Sequence, residues 1–212
     1  MSKVVIQGNA SGTGNFTIAA PNSNTDRTLT LPDEAGTVIT TAGLPSGIVT
    51  GSDLPAGSIL QVVQTIKTDA FSSTGSWADI TGLSVNITPS STSSKILVMG
   101  SLSIATSNFQ GYARLMRDSN PVYVGNTASL RPRITAGTGY YAGGSYDPYV
   151  ISQSPVTYLD LPSTTSQITY KFQARPWATN YTVYINRTDA DRDNANYEPR
   201  LPSSITVMEI AG

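Results

Sequence analysis

The chain has 212 residues, a formal net charge of −1 and only 13% charged residues, which leaves no basic excess for a nucleic-acid or anionic-membrane partner. It contains neither cysteine nor histidine. Disulfide-stapled folds, thiol chemistry, Ser-His-Asp sites and zinc sites built from His and Cys are therefore excluded. Serine and threonine supply 53 residues, a composition that favours strands and turns over helices.

The first ten residues predict an extended leader with a short strand at Val4–Ile6. They lack the apolar core of a signal peptide, and no apolar run approaches the ~20 residues that a membrane span needs. The sequence therefore predicts a protein made in a cytoplasm, with no signal peptide and no membrane insertion.

Three short runs that alternate apolar and polar residues lie within Ser11–Thr41 and predict short strands. These runs are Phe16–Ala20, Leu29–Leu31 and Thr37–Ile39. Strands this short bury too little surface to fold alone, and the chain has no cysteine to staple them. We therefore expect copies of the chain to wrap together here, as in a fibre.

A stretch rich in glycine and proline, Ala42–Ser58, interrupts every regular element. It divides the chain into an N-terminal segment (residues 1–45), a linker (residues 46–57) and a C-terminal domain (residues 58–212).

The run Ile59–Thr68 has two interpretations. Its apolar residues Ile59, Val62, Val63 and Ile66 follow helical spacing and would suit a short coiled-coil seam in a trimer. However, β-branched residues dominate, and the run is too short for a stable isolated helix. We prefer a first strand of the C-terminal domain.

Further strand candidates follow, each bounded by turn residues and without helices between them. They are Ser76–Ile80, Leu83–Thr88, Lys95–Ala105, Tyr112–Arg117, Pro121–Gly125, Pro155–Leu161, Gln167–Ala174, Tyr181–Asn186 and Ser204–Ile210. This pattern predicts an all-β domain, an antiparallel β-sandwich or jelly roll. The segment Thr135–Tyr149 predicts a long loop rich in glycine and tyrosine.

The N-terminal run GTGNFTIAAPNSNTDRTLTLPDEAGTVIT resembles a segment that recurs in tail-fibre and other virion proteins of tailed bacteriophages. The matching landmarks are Ala20–Pro21, Arg27–Asp33 and Gly36–Val38, within about the first fifth of the chain. The ending Ser203–Gly212 resembles the final strand of many phage fibre tips. This resemblance implies a homotrimeric virion protein, made in the host cytoplasm, whose N-terminal segment docks on other virion proteins.

Aromatic residues suggest a recognition surface. Tyr140, Tyr141, Tyr146 and Tyr149 lie in one Gly-rich loop, and Trp177 lies at a strand end. Tyrosine and tryptophan bury apolar area while keeping a polar group, and glycine lets a loop adapt. The partner would be a host-surface glycan or protein. The same rings would also suit the edges of the sandwich or a trimer interface.

An acidic run is the best metal candidate. Asp189, Asp191 and Asp193 resemble the opening of a calcium loop. Asn194 then stands where an EF-hand needs glycine, and Arg200 where it needs a bidentate glutamate. We therefore prefer a solvated loop with local Asp–Arg pairs, and we assign no metal and no cofactor.

We expect a structural, non-enzymatic virion protein: a tail fibre or fibre-like appendage that attaches the particle to its host. Two alternatives remain. One is a capsid decoration protein or head fibre anchored to the shell. The other is a small sugar-cleaving enzyme built on two carboxylates, whose pair the sequence does not identify.

Overall fold

The computed structural model describes residues 11–13, 24, 53–139, 147–193 and 195–212. Contacts within the chain separate Met1–Gly43 from Leu44–Gly212, and every strand given below belongs to the second unit. The N-terminal segment predicted for residues 1–45 lies almost entirely outside the described residues, so its intertwined strands stay a prediction.

Eleven β-strands form in the described residues. They are β1 (Ile59–Lys67), β2 (Phe71–Thr74), β3 (Ala78–Ile87), β4 (Lys95–Thr106), β5 (Gln110–Arg117), β6 (Asn120–Val122), β7 (Ala136–Gly139), β8 (Ser152–Asp160), β9 (Ile168–Pro176), β10 (Thr182–Ile185) and β11 (Ser203–Ile210). All pairings are antiparallel, which confirms the predicted all-β antiparallel sandwich. None of the described residues belongs to a helix long and apolar enough to cross a membrane.

The strands form two sheets. Sheet A has the order β1-β11-β4-β10-β2, with β8 on the other edge of β4, and sheet B has the order β3-β9-β5-β6, with β7 also paired to β5. Strand β4 pairs along both edges: β11 and then β10 occupy one edge, and β8 occupies the other.

Alternating side chains from both sheets fill the space between them. In β9 the inward residues Ile168, Tyr170, Phe172 and Ala174 are all buried, while the residues between them are half-buried. Because successive side chains of a strand point to opposite faces, the alternation that the sequence shows at Ile168–Phe172 correctly predicts this core face.

The two sheets pack closely at Gly100 of β4. A Cβ atom placed there would lie 2.7 Å from Cζ of Phe172, a fully buried ring on β9. Only glycine leaves room for this ring, because close-packed interiors have no spare volume for an extra methyl group.

A buried carboxylate, Asp160, ties the two sheets together where β8 ends. Its oxygens accept hydrogen bonds from Arg117 Nη1 at 3.0 and 2.9 Å and from the Tyr170 hydroxyl at 2.6 Å. Burial and the bond to Asp160 both raise the pKa of Tyr170, so this hydroxyl remains a donor at neutral pH. The negative charge is thereby matched by a cation and by further donors, as a buried charge requires.

A second buried carboxylate, Glu209, anchors β11. Glu209 Oε1 accepts from the Ser90 backbone N–H at 2.7 Å and from the Ser94 hydroxyl at 2.7 Å, and Oε2 accepts from Gln61 Nε2 at 2.5 Å. Burial alone would raise the pKa of Glu209, but these hydrogen bonds hold it below its ordinary value. The last strand is therefore fastened to β1 and to the β3–β4 loop.

The run at Ile59 forms a strand, as preferred, and not a helix. Other elements of the structure differ in detail from those predicted. The separate strands predicted on either side of Gly82 are one strand, β3, whose pairing is irregular there. The prediction of one long loop over Thr135–Tyr149 was wrong at its start, because Ala136–Gly139 forms the strand β7. Neither β7 nor β2 has a strong apolar alternation of its own, so each depends on its paired neighbour.

The two ends of β4 define the two ends of the sandwich. At the Lys95 end, called here the linker end, Gly57 N donates to Ala211 O at 2.8 Å, so the chain reaches β1 beside the end of β11. At about 3.3 Å per residue, the far end of this twelve-residue strand lies roughly 35 Å away.

The Thr106 end, called here the loop end, gathers several connections. The β4–β5 turn starts there, and the β9–β10 loop ends there because Val183 pairs with Thr106. The β2–β3 turn follows Thr74, which pairs with Thr182. The connection from β7 to β8 belongs to this end as well, since β8 begins opposite Ile104.

Replacing Gly100 with alanine should lower the free energy of unfolding by about 1–3 kcal/mol, because the added methyl overpacks the core at Phe172. Urea unfolding at neutral pH measures this change. Gly125→Ala is the matched control, since a Cβ there has no heavy atom within 4 Å. An unchanged unfolding midpoint for Gly100→Ala would contradict the close approach.

The pKa of Glu209 is lowered in the folded state. Its ionised form therefore stabilises the fold above the ordinary pKa of about 4.3. This stability is lost as the pH falls through the lower pKa of the folded state. Glu209→Gln should reduce stability at pH 7 by about 1–3 kcal/mol and lose less stability than the unmodified protein between about pH 5 and pH 3. Urea unfolding across that range tests both effects. The control, Asp193→Asn at an exposed position, should retain the original pH dependence.

Candidate binding surfaces

Of the four tyrosines predicted as one recognition loop, the described residues include only Tyr149, while Tyr140, Tyr141 and Tyr146 lie outside them. The Tyr149 ring lies 5.8 Å from that of Tyr197, and the Arg192 guanidinium lies 4.8 Å from the centre of the Tyr149 ring. Tyr197 and Arg192 belong to the β10–β11 loop. Sequence reasoning missed Tyr197, which is 58% exposed.

Trp177 follows directly after β9, at a strand end as predicted. Its ring stacks on Tyr181, with centroids 5.3 Å apart, and meets Phe109 edge to face at 5.2 Å. The backbone fixes this arrangement, because Trp177 N donates to Gln110 O at 3.0 Å. These three rings are called here the tryptophan cluster. Trp177 and Phe109 are 40% and 39% exposed, so the cluster presents apolar surface to solvent at the loop end.

Phe109 holds an unusual backbone conformation, with a φ of 44°. A bulky residue in the left-handed region is strained by an amount of order 1–3 kcal/mol, and such strain is concentrated at functional sites. The β4–β5 turn therefore retains a costly conformation that brings Phe109 against Trp177. The sequence alone gives no sign of this contact.

The acidic run lies in the β10–β11 loop, and the carboxylate of its Asp191 is paired with two arginines. Asp191 contacts Arg187 at 2.6 Å and Arg200 at 2.5 Å, while Arg192 contacts Glu198 at 2.9 Å. Burial raises the pKa of Asp189, which opposes the ionised form that calcium needs. Across the described residues, no three Asp, Glu, His or Cys side chains converge to hold a metal. The two ion pairs of Asp191 are local Asp–Arg pairs of the kind preferred above.

The outer face of sheet A is apolar in the middle. The strand register aligns one row of four apolar residues across four strands, and three further rows add one apolar residue each. This set, called here the apolar face, comprises Val62, Met208, Leu97, Leu159, Ile66, Met99 and Ile210. Four of its members are 42–59% exposed, and Lys95 is the one charged residue that faces outward from β1, β11, β4 and β8.

The sequence carries a signal for this face. Runs of consecutive apolar residues, such as Ile96–Met99 and Val207–Met208, are typical of strands covered on both sides, because a half-exposed strand alternates. The outer face of sheet B shows the ordinary solvated pattern: β9 presents Thr169, Lys171, Gln173 and Arg175 there.

Comparisons with known proteins were made by sequence and by structure. A scan against protein-family models found no match, and a search of the curated proteins found none. Among solved structures, the chain is similar to a mutant VP2 protein of infectious bursal disease virus in derived T=1 particles. The identity is 17% over 82% of this chain and 41% of that chain, with a TM-score of 0.37.

A second similar structure is the VP2 subviral particle of the same virus, at 13% identity over 81% of this chain and 46% of that chain, with a TM-score of 0.36. The chain thus spans less than half the length of these proteins. A likeness this distant carries no argument about activity or partners.

Proposed function

We propose that this protein is a structural, non-enzymatic component of a tailed-phage virion, a tail fibre or fibre-like appendage that attaches the particle to its host. The observation that carries the proposal is the polarity of the sandwich. The chain reaches β1 at the linker end, beside Ala211, and exposes aromatic rings at the loop end, roughly 35 Å away along β4. A tip domain needs this arrangement, because its anchor and its recognition surface must point in opposite directions.

The N-terminal resemblance supports the same proposal. The landmarks at Ala20–Pro21, Arg27–Asp33 and Gly36–Val38 resemble those of a segment that in phage fibres lies near an attachment point or between domains. Residues 1–45 would then hold the particle, and the tryptophan cluster with Tyr149 would meet a host-surface glycan or protein. Exposed aromatic rings suit this role, because they supply large contact areas at small entropic cost.

We further propose that the protein is a homotrimer whose apolar face packs against the other two copies. A nearly uncharged face is complementary to itself, and a monomer rarely leaves such a patch in water. The low net charge of −1 adds little repulsion between copies. Three equal sites on one rigid trimer can gain roughly 10² to 10⁴ in apparent affinity.

Two carboxylates that could serve in a sugar-cleaving enzyme already have hydrogen-bond partners within the fold. Asp160 is held by Arg117 and Tyr170, and Glu209 by Ser90, Ser94 and Gln61. These contacts give both residues structural roles in the core, which supports a binding function over catalysis.

Met99→Glu should dissociate the proposed trimer, because it would bury a charge in the apolar face of each copy. Light scattering of the full chain should fall from three times the 22.4 kDa chain mass to a single chain mass. Ser84→Glu, on the outer face of sheet B, is the control and should remain trimeric. A clean monomer for the unmodified protein would contradict the self-association proposal.

Trp177→Ala should weaken adsorption of the purified protein to host cells about tenfold, as expected for loss of an interface tryptophan. Leu130→Ser removes another exposed apolar side chain, which belongs neither to the tryptophan cluster nor to the Tyr149–Tyr197 ring pair. This variant should adsorb as well as the unmodified protein.

A gold-labelled antibody against residues 58–212 should mark the tails of intact virions. Label over the head would instead favour the decoration protein or head fibre. Absence of label from particles would contradict a virion role altogether.

A further inference from the structure

A second aromatic cluster, distinct from that of Trp177, lies on the outer face of sheet B. Trp77 precedes β3, and the register places it level with Arg175 of β9, which pairs with Tyr112 of β5. The Arg175 guanidinium carbon lies 5.1 Å from the Trp77 ring centre and 5.3 Å from the Tyr112 ring centre. The Arg114 guanidinium also meets Trp77, at 4.4 Å.

Positive charge exceeds negative charge on this face. The strands β3, β9 and β5 present three cations outward, Arg114, Lys171 and Arg175, but one carboxylate, Asp79. Lys171 Nζ already occupies that carboxylate at 2.7 Å, and Gln173 Nε2 donates to its other oxygen at 2.7 Å. Two positive charges therefore remain in excess on a chain whose net charge is −1.

Among the described residues, no carboxylate pairs with either arginine. Arg114 donates there to the neutral Gln173 Oε1, at 2.9 and 2.7 Å. Burial, followed by the positive charge of Arg175, lowers the pKa of Arg114. Among the described residues, the buried Nε atom of Arg175 has no hydrogen-bond partner. Buried donors are nearly always satisfied, so an exception asks for an explanation, of which a bound group is one.

We propose that Trp77, Tyr112, Arg114 and Arg175 form a binding site for an anionic sugar residue. The sugar ring stacks on the half-exposed aromatic side chains, and its carboxylate or phosphate pairs with the two guanidiniums. Planar guanidinium groups match both kinds of anion through paired hydrogen bonds. The bound anion relieves the electrostatic repulsion between the Arg114 and Arg175 guanidiniums, which no negative charge within the site itself balances.

The position of the site agrees with this use. Arg175 is two residues before Trp177, and Trp77 follows the β2–β3 turn, so the site adjoins the tryptophan cluster at the loop end. A chain of sugars could reach both surfaces at once. The inference thus rests on the proposed attachment function and names the chemical class of its ligand.

The test measures binding of the full-length protein to three immobilised oligosaccharides: a uronic-acid oligomer, a phosphorylated mannose oligomer and a neutral glucose oligomer. At least one of the two anionic oligomers should bind, and more weakly as salt rises, because screening weakens charge pairs. Preference between them identifies carboxylate or phosphate as the anion. Binding only to the neutral oligomer, or to none, overturns the inference.

Arg175→Gln should weaken binding to the anionic oligomer about tenfold or more, as expected for loss of a charge-assisted hydrogen bond. Lys171→Gln is the matched control: it removes the same charge from the same face, but from a cation already paired with Asp79. It should weaken binding less than threefold. Equal losses would show nonspecific charge attraction and overturn the site. Arg114→Gln provides a second variant if thermal melting shows that Arg175→Gln does not fold.

Adsorption to host cells separates this inference from the proposed function. If Arg175→Gln adsorbs as well as the unmodified protein while Trp177→Ala does not, attachment stands and the anionic-sugar site fails. If the protein binds the anionic oligomer through Arg175 but no host cell, the site stands and the attachment function fails.

Discussion

The pairing of strand β4 along both of its edges is the constraint on which the rest of the sandwich depends. β11 and β10 share one edge of β4, and β8 covers the other. On its inner side, Gly100 admits the Phe172 ring and sets how closely the sheets approach. The twelve residues of β4 also set the distance between the linker end and the loop end. One strand thus determines the layers, their spacing and the separation of the linker end from the loop end.

The sequence predicted the architecture because alternation is a local signal. Ile168–Phe172 carries it clearly, and β9 lies where expected. It failed for β7, whose residues Ala136–Gly139 have little apolar content and form a strand only through pairing with β5. The candidate surfaces were harder to predict, because Trp177 meets Phe109 and Arg175 meets Trp77 across long separations in sequence. Such contacts follow from strand register, which composition does not specify.

The two outer faces of the sandwich have opposite chemistry, and this contrast links the proposals. Sheet A presents an apolar surface with one charge, Lys95, which suits burial against copies of the same chain. Sheet B presents paired and unpaired charges around Trp77 and Arg175, which suits a solvated surface open to ligand. A trimer built on the first face would leave the second face outward in every copy. Self-association and ligand binding would therefore not compete for the same area.

The buried carboxylates have a consequence for how this protein can diversify. Asp160 and Glu209 both lie level with Ile96, next to the linker end. Among the described residues, neither accepts a hydrogen bond from the loops that carry Phe109, Trp177 or Tyr149. Mutations in those loops leave both clusters intact. Lineages of the protein could therefore exchange their distal loops while inheriting the same framework.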